Sequence, residues 1–274
     1  VNKEMIEAAP ELKVIARAGV GVGNIDVQYA TERGILVINT PGKNTNSAAE
    51  LTMGLLLCAF RKIVPAHQSM QSLNWDRHRF NGGELMNKCL GIIGLGNVGH
   101  RVARYAKAFD MKVQAFDPYL ADEVFERHGV QKVDWITLLN TSDVITFHVP
   151  LNDETRGMIS EMEIERMKPG VILLNTARGG VINETSLLNA LHSGHVAAAG
   201  IDTWEVEPPR DNPFSQLPQV VMSPHIGAST SEAQIRIAES IATQVPRALR
   251  GEVVDFPVNM PSVKVLPTSP VRHY

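Results

Sequence analysis

Apolar residues along this chain fall into two kinds of run. Short, nearly unbroken apolar runs occur at residues 88–96 (KCLGIIGLG), 111–117 (MKVQAFD), 142–150 (SDVITFHVP), 170–177 (GVILLNTA), 195–203 (HVAAAGIDT) and 219–225 (QVVMSPH). Between most of them apolar positions recur every three or four residues, as in HRVARYAKAF at 100–109 and in ADEVFERHG at 121–129, which Gly129 closes. The short runs predict buried strands and the 3.6-residue spacing predicts helices. Their alternation implies an α/β architecture, a doubly wound parallel sheet covered by helices on both faces. Residues 44–244 suffice for such a domain. Ahead of it, residues 12–19 and 35–41 read as two more strands around a helix at 24–34, and residues 229–250 read as a long helix. Residues 1–43 with 245–274 are therefore expected to form a second, smaller domain. It is expected to be incomplete at its N-terminal side, because these elements are too few for a core of their own. The Pro-rich end, VLPTSPVRHY at 265–274, is expected to be mobile.

Composition narrows the function classes. The chain has 274 residues, 44% hydrophobic and 20% charged, enough for one large or two ordinary cored domains. A net charge of −3 without a basic block argues against nucleic acid or an anionic membrane as main partner. The longest apolar helix pattern, 48–70, is interrupted by Arg61, Lys62 and Pro65, and nothing approaches the ~20 residues that span a bilayer. Cys58 and Cys89 sit in apolar segments and read as reduced thiols of a cytoplasmic protein. His192 and His195 have a metal-pair spacing, but Gly194 marks a helix end and no third ligand is near, so no metal is expected.

The turn after the 88–93 strand is Gly94-Leu95-Gly96-Asn97-Val98-Gly99. A GxGxxG with a strand before it, a helix after it and an acidic residue ending the next strand is a dinucleotide-binding pattern. Gly94 permits the tight turn, Gly96 lets a pyrophosphate approach the backbone, and Gly99 lets helix and strand pack closely. Asp117, 18 residues beyond Gly99, can accept from ribose hydroxyls and repel a 2′-phosphate, which favours NAD over NADP. Its bland role is to cap the PYLADE turn. The domain is thus expected to be Rossmann-type.

Three further groups end successive strands. Arg178 follows a buried strand in a glycine-rich turn, Glu207 follows the next and is stiffened by Pro208 and Pro209, and His225 ends the one after that in VVMSPHIGAST. In a parallel sheet the carboxyl ends of the strands share one edge, where ligands bind. An arginine there can fork onto a carboxylate, a histidine can move a proton near neutral pH, and a carboxylate can orient its ring. Taken singly, His225 is as well explained as a core residue, Arg178 as a helix-end cap and Glu207 as a solvated carboxylate.

The segments RAGVGVGNID (17–26), GILVINTP (34–41), NSAAEL (46–51), GLGNVG, NTARGG, GIDTWEVEPP and SPHIGAST together resemble the D-isomer-specific 2-hydroxyacid dehydrogenases, and within them the phosphoglycerate dehydrogenases, from about Ala9 to about Pro261. The resemblance implies a flavodoxin-like substrate domain, NAD as cofactor, and Arg178, Glu207 and His225 as catalytic residues. It implies cofactor contacts at Gly94, Gly96, Asn97, Val98, Gly99, Asp117, His148, Val149, Pro150, Thr176, Ala177, Asp202, Gly227 and Ala228. Arg17, Val20, Gly21 and Asn44 match positions facing the substrate. Val20 stands where such enzymes often carry threonine, and Gly23 where they often carry aspartate. The implied reaction is oxidation of a small D-2-hydroxy acid, first of all 3-phosphoglycerate to 3-phosphohydroxypyruvate. His225 would act as general base, Glu207 would hold its other ring nitrogen and Arg178 would hold the carboxylate. The resemblance also implies a homodimer or higher homo-oligomer built through the NAD domain by helix 48–70 and the loop with Trp75. Glycerate, glyoxylate or lactate dehydrogenation, or a non-catalytic NAD-sensing role, remain alternatives.

Overall fold

The computed structural model describes residues 1–260, and the Pro-rich end at 265–274 lies outside the described residues. In chain order the elements are α1 (Lys3–Glu7), β1 (Val14–Ala16), α2 (Val27–Glu32), β2 (Leu36–Ile38), α3 (Thr45–Arg61), α4 (Ile63–Gln71), β3 (Cys89–Ile93), α5 (Gly99–Ala108), β4 (Lys112–Phe116), α6 (Asp122–His128), β5 (Gln131–Lys132), α7 (Trp135–Thr141), β6 (Val144–Phe147), α8 (Glu161–Arg166), β7 (Val171–Asn175), α9 (Glu184–Ser193), β8 (Val196–Ile201), β9 (Val220–Met222) and α10 (Ser231–Leu249). The described residues form two compact units, Thr45–Ser229 and Val1–Asn44 with Thr230–Met260.

The larger unit is built on a seven-stranded sheet in the order β5-β4-β3-β6-β7-β8-β9, with every neighbouring pair parallel. Chain order reverses between β3 and β6, so the connections leaving their carboxyl ends diverge and open a crevice there. Every residue of β6 and β7 is buried. Side chains alternate between the two faces, as a strand requires. Val171 and Leu173 pack with Leu138, Leu187 and Leu191 on one side, while Ile172 and Leu174 pack with Leu55, Leu56, Val102 and Ala106 on the other. Helix ends follow local chemistry. Asn183 accepts from the Ser186 N–H to start α9, Ser160 and Glu163 form a reciprocal capping box on α8, and Gly129 and Gly194 close α6 and α9 at φ 57° and 79°.

Two elements differ from the sequence pattern. The 48–70 helix is two helices, α3 and α4, with Lys62 left-handed at φ 51° between them. Pro65 lacks an N–H and its ring collides with the carbonyl four residues back, at Arg61, so a continuous helix breaks there. The edge strand β5 carries only two exposed polar residues, so no apolar run announces it.

The smaller unit pairs β1 with β2 in parallel and buries Ile6, Ile15, Ile25, Ala30, Ile35 and Val37. Asn259 ties the later segment onto it by accepting the Val37 N–H at 2.6 Å and donating to the Ile35 carbonyl at 3.0 Å. All of α10 belongs to this unit, whereas the strand–helix alternation divides that helix at residue 244. The reason is polar. Arg236 donates to the Lys43 carbonyl at 2.9 Å, and Gln244 is buried, donating to Asn39 O and accepting from Phe256 N–H. No described helix is long and apolar enough to cross a membrane.

Candidate active site

The glycine turn leaves the carboxyl end of β3. Gly94 is left-handed at φ 90°, and a Cβ there would lie 2.7 Å from the His148 carbonyl oxygen. A Cβ on Gly99 would lie 2.1 Å from the Gly94 carbonyl oxygen. Both positions are closed to a side chain by backbone. Gly96 is different, since a Cβ there meets no described atom within 4 Å beyond its neighbours. That cradle is open where a pyrophosphate would approach. Among the described residues no side chain caps the N-terminus of α5; the His100 and Arg101 N–H groups donate to the Gly96 and Val98 carbonyls, and the helix's partial positive charge faces the glycine turn. The His100 ring fastens the turn, with Nδ1 2.8 Å from the Gly96 carbonyl oxygen. Asn97 is exposed and Val98 half-buried beside it.

Asp117 directly follows β4, with both carboxylate oxygens engaged by backbone. Oδ2 accepts from the Leu95 N–H at 3.0 Å and Oδ1 from the Tyr119 N–H at 3.1 Å. It therefore caps its own turn and is also locked to the glycine turn. Each oxygen keeps lone-pair capacity for a ribose hydroxyl. The chain after β6 forms the other wall. His148 donates its N–H to the Ile93 carbonyl at 2.8 Å, and its Nε2 lies 3.0 Å from the Thr146 hydroxyl. Part of the residue reaches the surface, yet the ring is desolvated, which pushes its pKa down to about 3 and keeps it neutral. Val149 packs against Gly94, and the Pro150 carbonyl accepts the Thr155 hydroxyl at 2.6 Å.

The candidate catalytic groups leave β7, β8 and the segment after β9. Buried Asn175 shapes the first turn, accepting the Ala177 N–H at 3.1 Å and donating to the Arg178 carbonyl at 2.9 Å. Arg178 donates through Nη1 to the Ala177 carbonyl at 2.6 Å. Thr176 shares a 2.7 Å hydroxyl contact with Thr52 of α3. Gly179 lets this turn touch the next, because a Cβ there would fall 1.8 Å from the Trp204 carbonyl oxygen.

After β8, Glu207 accepts the Trp204 N–H at 3.1 Å through Oε1, and its Oε2 lies 2.7 Å from His225 Nδ1. A carboxylate oxygen only accepts here, so Nδ1 carries a proton, and Nε2 is the nitrogen that bears the lone pair in the neutral ring. His225 is held left-handed at φ 53°, an uncommon and strained conformation for a non-glycine residue. Fully buried Asp202 holds it there. The Asp202 carboxylate accepts from the Ser223 hydroxyl at 2.6 Å, the Ile226 N–H at 2.8 Å and the Gly227 N–H at 2.9 Å, while its own carbonyl accepts the His225 N–H at 2.8 Å.

Glu207 and His225 are thus brought into direct contact, and the Arg178 turn is packed against the chain carrying Glu207. Gly227 and Asp202 are joined, with Ala228 next in the same loop. Arg17, Val20, Gly21 and Asn44 belong to the smaller unit, where Arg17 donates to the Gly21 carbonyl at 3.1 Å. Sequence reasoning missed Asn175, Ser223 and Trp204 as the residues that shape these turns. Ser223 is the serine of the SPH motif, but only the folded chain brings its hydroxyl to Asp202. His195 Nε2 lies 3.1 Å from the Met167 carbonyl, and no group of three His, Cys, Asp or Glu residues suited to a metal exists among the described residues.

Residues 53–227 match the family model for the D-isomer specific 2-hydroxyacid dehydrogenase NAD binding domain. The chain is 49% identical over 264 residues to D-3-phosphoglycerate dehydrogenase of Methanocaldococcus jannaschii, covering 96% of this chain and 50% of that protein. It is 43% identical over 263 residues to the Bacillus subtilis enzyme of the same name, again covering 96% of this chain and 50% of that protein. It spans about half the length of these curated relatives. Among solved structures, it is similar to D-lactate dehydrogenase from Aquifex aeolicus complexed with NAD and lactic acid (31% identity, TM-score 0.86, covering 96% of this chain and 84% of that one). It is likewise similar to a glyoxylate reductase from Paecilomyes thermophila (35% identity, TM-score 0.85, 93% and 78%). With its glycine turn, its Asp117 and the matched family model over most of its length, the chain belongs to the D-isomer-specific 2-hydroxyacid dehydrogenase family.

Proposed function

We propose that this chain carries the catalytic part of an NAD-dependent dehydrogenase of a small D-2-hydroxy acid, with 3-phosphoglycerate as the first substrate to test. The observation that carries the reading is the 2.7 Å contact of Glu207 with His225 Nδ1, which leaves Nε2 free to take a proton at the edge of a dinucleotide-type sheet. The residues present fit NAD. Gly96 is open, no side chain caps the start of α5, and Asp117 is tied to the glycine turn through the Leu95 N–H, which supports a ribose contact there.

When bound, NAD supplies the two-electron acceptor. The protein's own work is then orientation and proton transfer. His225 takes the hydroxyl proton of the substrate on Nε2 during oxidation and returns it in reduction. Glu207 keeps the ring in that tautomer and stabilises the positive charge it gains. Arg178 forks onto the substrate carboxylate and polarises the oxygen at the reacting carbon. Substrate contacts at Arg17, Val20, Gly21 and Asn44 rest on the family resemblance. The test is NAD reduction at 340 nm with 3-phosphoglycerate, D-glycerate and D-lactate. Turnover that survives intact in His225→Ala would sink the mechanism, and NAD binding with no turnover on any of the three would favour a sensing role.

Self-association is proposed alongside it. A groove of about 670 Å³ runs between α3, α4 and the β8–β9 edge, lined by Cys58, Phe60, Pro65, Phe80, Ala198 and Val221. Beside it the segment after α4 exposes Leu73 and Trp75, 91% and 79% accessible. A second copy offers both a groove and an aromatic arm to fill it. Sedimentation should give a dimer, weakened in Trp75→Ala, and a monomeric wild type refutes this.

A further inference from the structure

We propose that Glu154, held by the hydroxyl of Tyr119, is a second carboxylate that makes the protein prefer NAD to NADP, acting beside Asp117. The inference rests on the NAD reading above. β4 and β6 are the two sheet neighbours of β3. Tyr119 lies in the turn after β4 and Glu154 in the loop after β6, and the Tyr119 hydroxyl donates to the Glu154 carboxylate. This bond therefore bridges the carboxyl end of β3, where the glycine turn starts.

Both ends of the bridge are fastened. The Tyr119 N–H donates to Asp117 at 3.1 Å, and the Glu154 N–H donates to the Asn152 side chain at 3.1 Å. Asn152 and Thr155 are cross-bonded in turn, the Thr155 hydroxyl receiving the Asn152 N–H at 2.9 Å. Glu154 is thus positioned by two separate loops rather than left to swing in solvent. One phenol also senses both acids. Its hydrogen bond to Glu154, then desolvation, then the negative charges of Glu154 and Asp117 push the Tyr119 hydroxyl pKa upward.

The discrimination is electrostatic. A 2′-phosphate beside Asp117 brings nearly two negative charges, whereas a ribose hydroxyl brings none. Glu154 therefore opposes NADP and is almost silent toward NAD. Tyr119 is 75% exposed, so the effect is screened by salt.

Direct titration of NADH and NADPH by fluorescence, at low and high salt, tests this on the wild type, Glu154→Gln and Tyr119→Phe. Glu154→Gln should tighten NADPH roughly two- to fivefold at low salt, the scale of exposed charge pairs, with NADH nearly unchanged and the gain shrinking in high salt. Tyr119→Phe keeps the charge but releases it, and should give a smaller shift in the same direction. An unchanged NADH-to-NADPH ratio in Glu154→Gln overturns the inference, and so does an equal loss of both nucleotides, which marks a purely structural role. A wild type that binds neither nucleotide refutes the NAD reading itself. A wild type that binds NADH and rejects NADPH, with Glu154→Gln unaltered, refutes the Glu154 inference alone.

Discussion

Replacing Gly179 by alanine should damage catalysis without touching a catalytic side chain. A Cβ at this position would stand 1.8 Å from the Trp204 carbonyl oxygen, 2.0 Å from its carbon and 2.5 Å from the Glu205 nitrogen. Ordinary contact begins near 3.4 Å, so roughly 1.6 Å must be found by moving one turn away from the other. All three obstructing atoms are backbone, so no rotamer change relieves the clash. One of these turns carries Arg178 and the other carries Glu207, whose partner His225 is held at 2.7 Å. Overpacking of this kind costs about 1–3 kcal/mol. That corresponds to a fall of roughly 2–4 °C in Tm for each kcal/mol in a domain of this size. The kinetic effect should be larger, because a misplacement of about 1 Å can cost about 100-fold in rate. The glycine turn after β3 is untouched and only contacts such as Thr176 and Ala177 shift, so NADH affinity should fall far less than turnover. Thermal unfolding, NADH titration and steady-state kcat/KM on one preparation give the three readouts. Gly179→Ala with wild-type Tm and wild-type turnover would refute the reasoning, and so would an equal collapse of NADH binding.

Gly96→Ala makes the opposite experiment, because its Cβ enters open space: Tm should be unchanged or slightly higher, while NADH binding weakens at least several-fold by titration. His225→Ala should cut turnover by roughly 100-fold or more with NADH affinity nearly intact, and Glu207→Gln should lower kcat while preserving the fold, both read from steady-state kinetics. His148 supplies a pH test. Its pKa falls to about 3 in the folded chain while the unfolded chain keeps an ordinary value near 6.5, so between these values the unfolded state binds the extra proton. Stability should therefore decline as pH drops below about 6.5, by no more than about 1.4 kcal/mol per pH unit for this one group. His148→Gln should show a shallower slope in urea unfolding at pH 7.5 and 5.5, and an identical slope would show that the ring does not stay neutral.

The strands and helices of the larger unit were legible because their signals are local. β6 and β7 are buried on both faces, so their sequences, VITF and VILLN, are almost wholly apolar, and α5 repeats its apolar positions at helical spacing. The glycine turn was legible because Gly94 takes a left-handed φ of 90° and Gly99 abuts the Gly94 carbonyl five residues back, demands that lie within the motif itself. Arg178, Glu207 and His225 each follow a strand, and parallel strands deliver their carboxyl ends to one edge; that much follows from order along the chain.

What only the tertiary structure decided involves partners far apart in sequence. Asp202 saturates its carboxylate with the Ser223–Gly227 loop and so holds His225 left-handed, a role its place after a strand does not announce. The fate of α10 was settled by Arg236 and Gln244 reaching the Lys43 and Asn39 backbone, about 200 residues away, which hydrophobic spacing does not record. The Tyr119–Glu154 bridge likewise spans loops that are neighbours only because β4 and β6 both pair with β3. Periodicity reports which face a residue buries, but a hydrogen bond between distant loops exists only once sheet order has set them side by side.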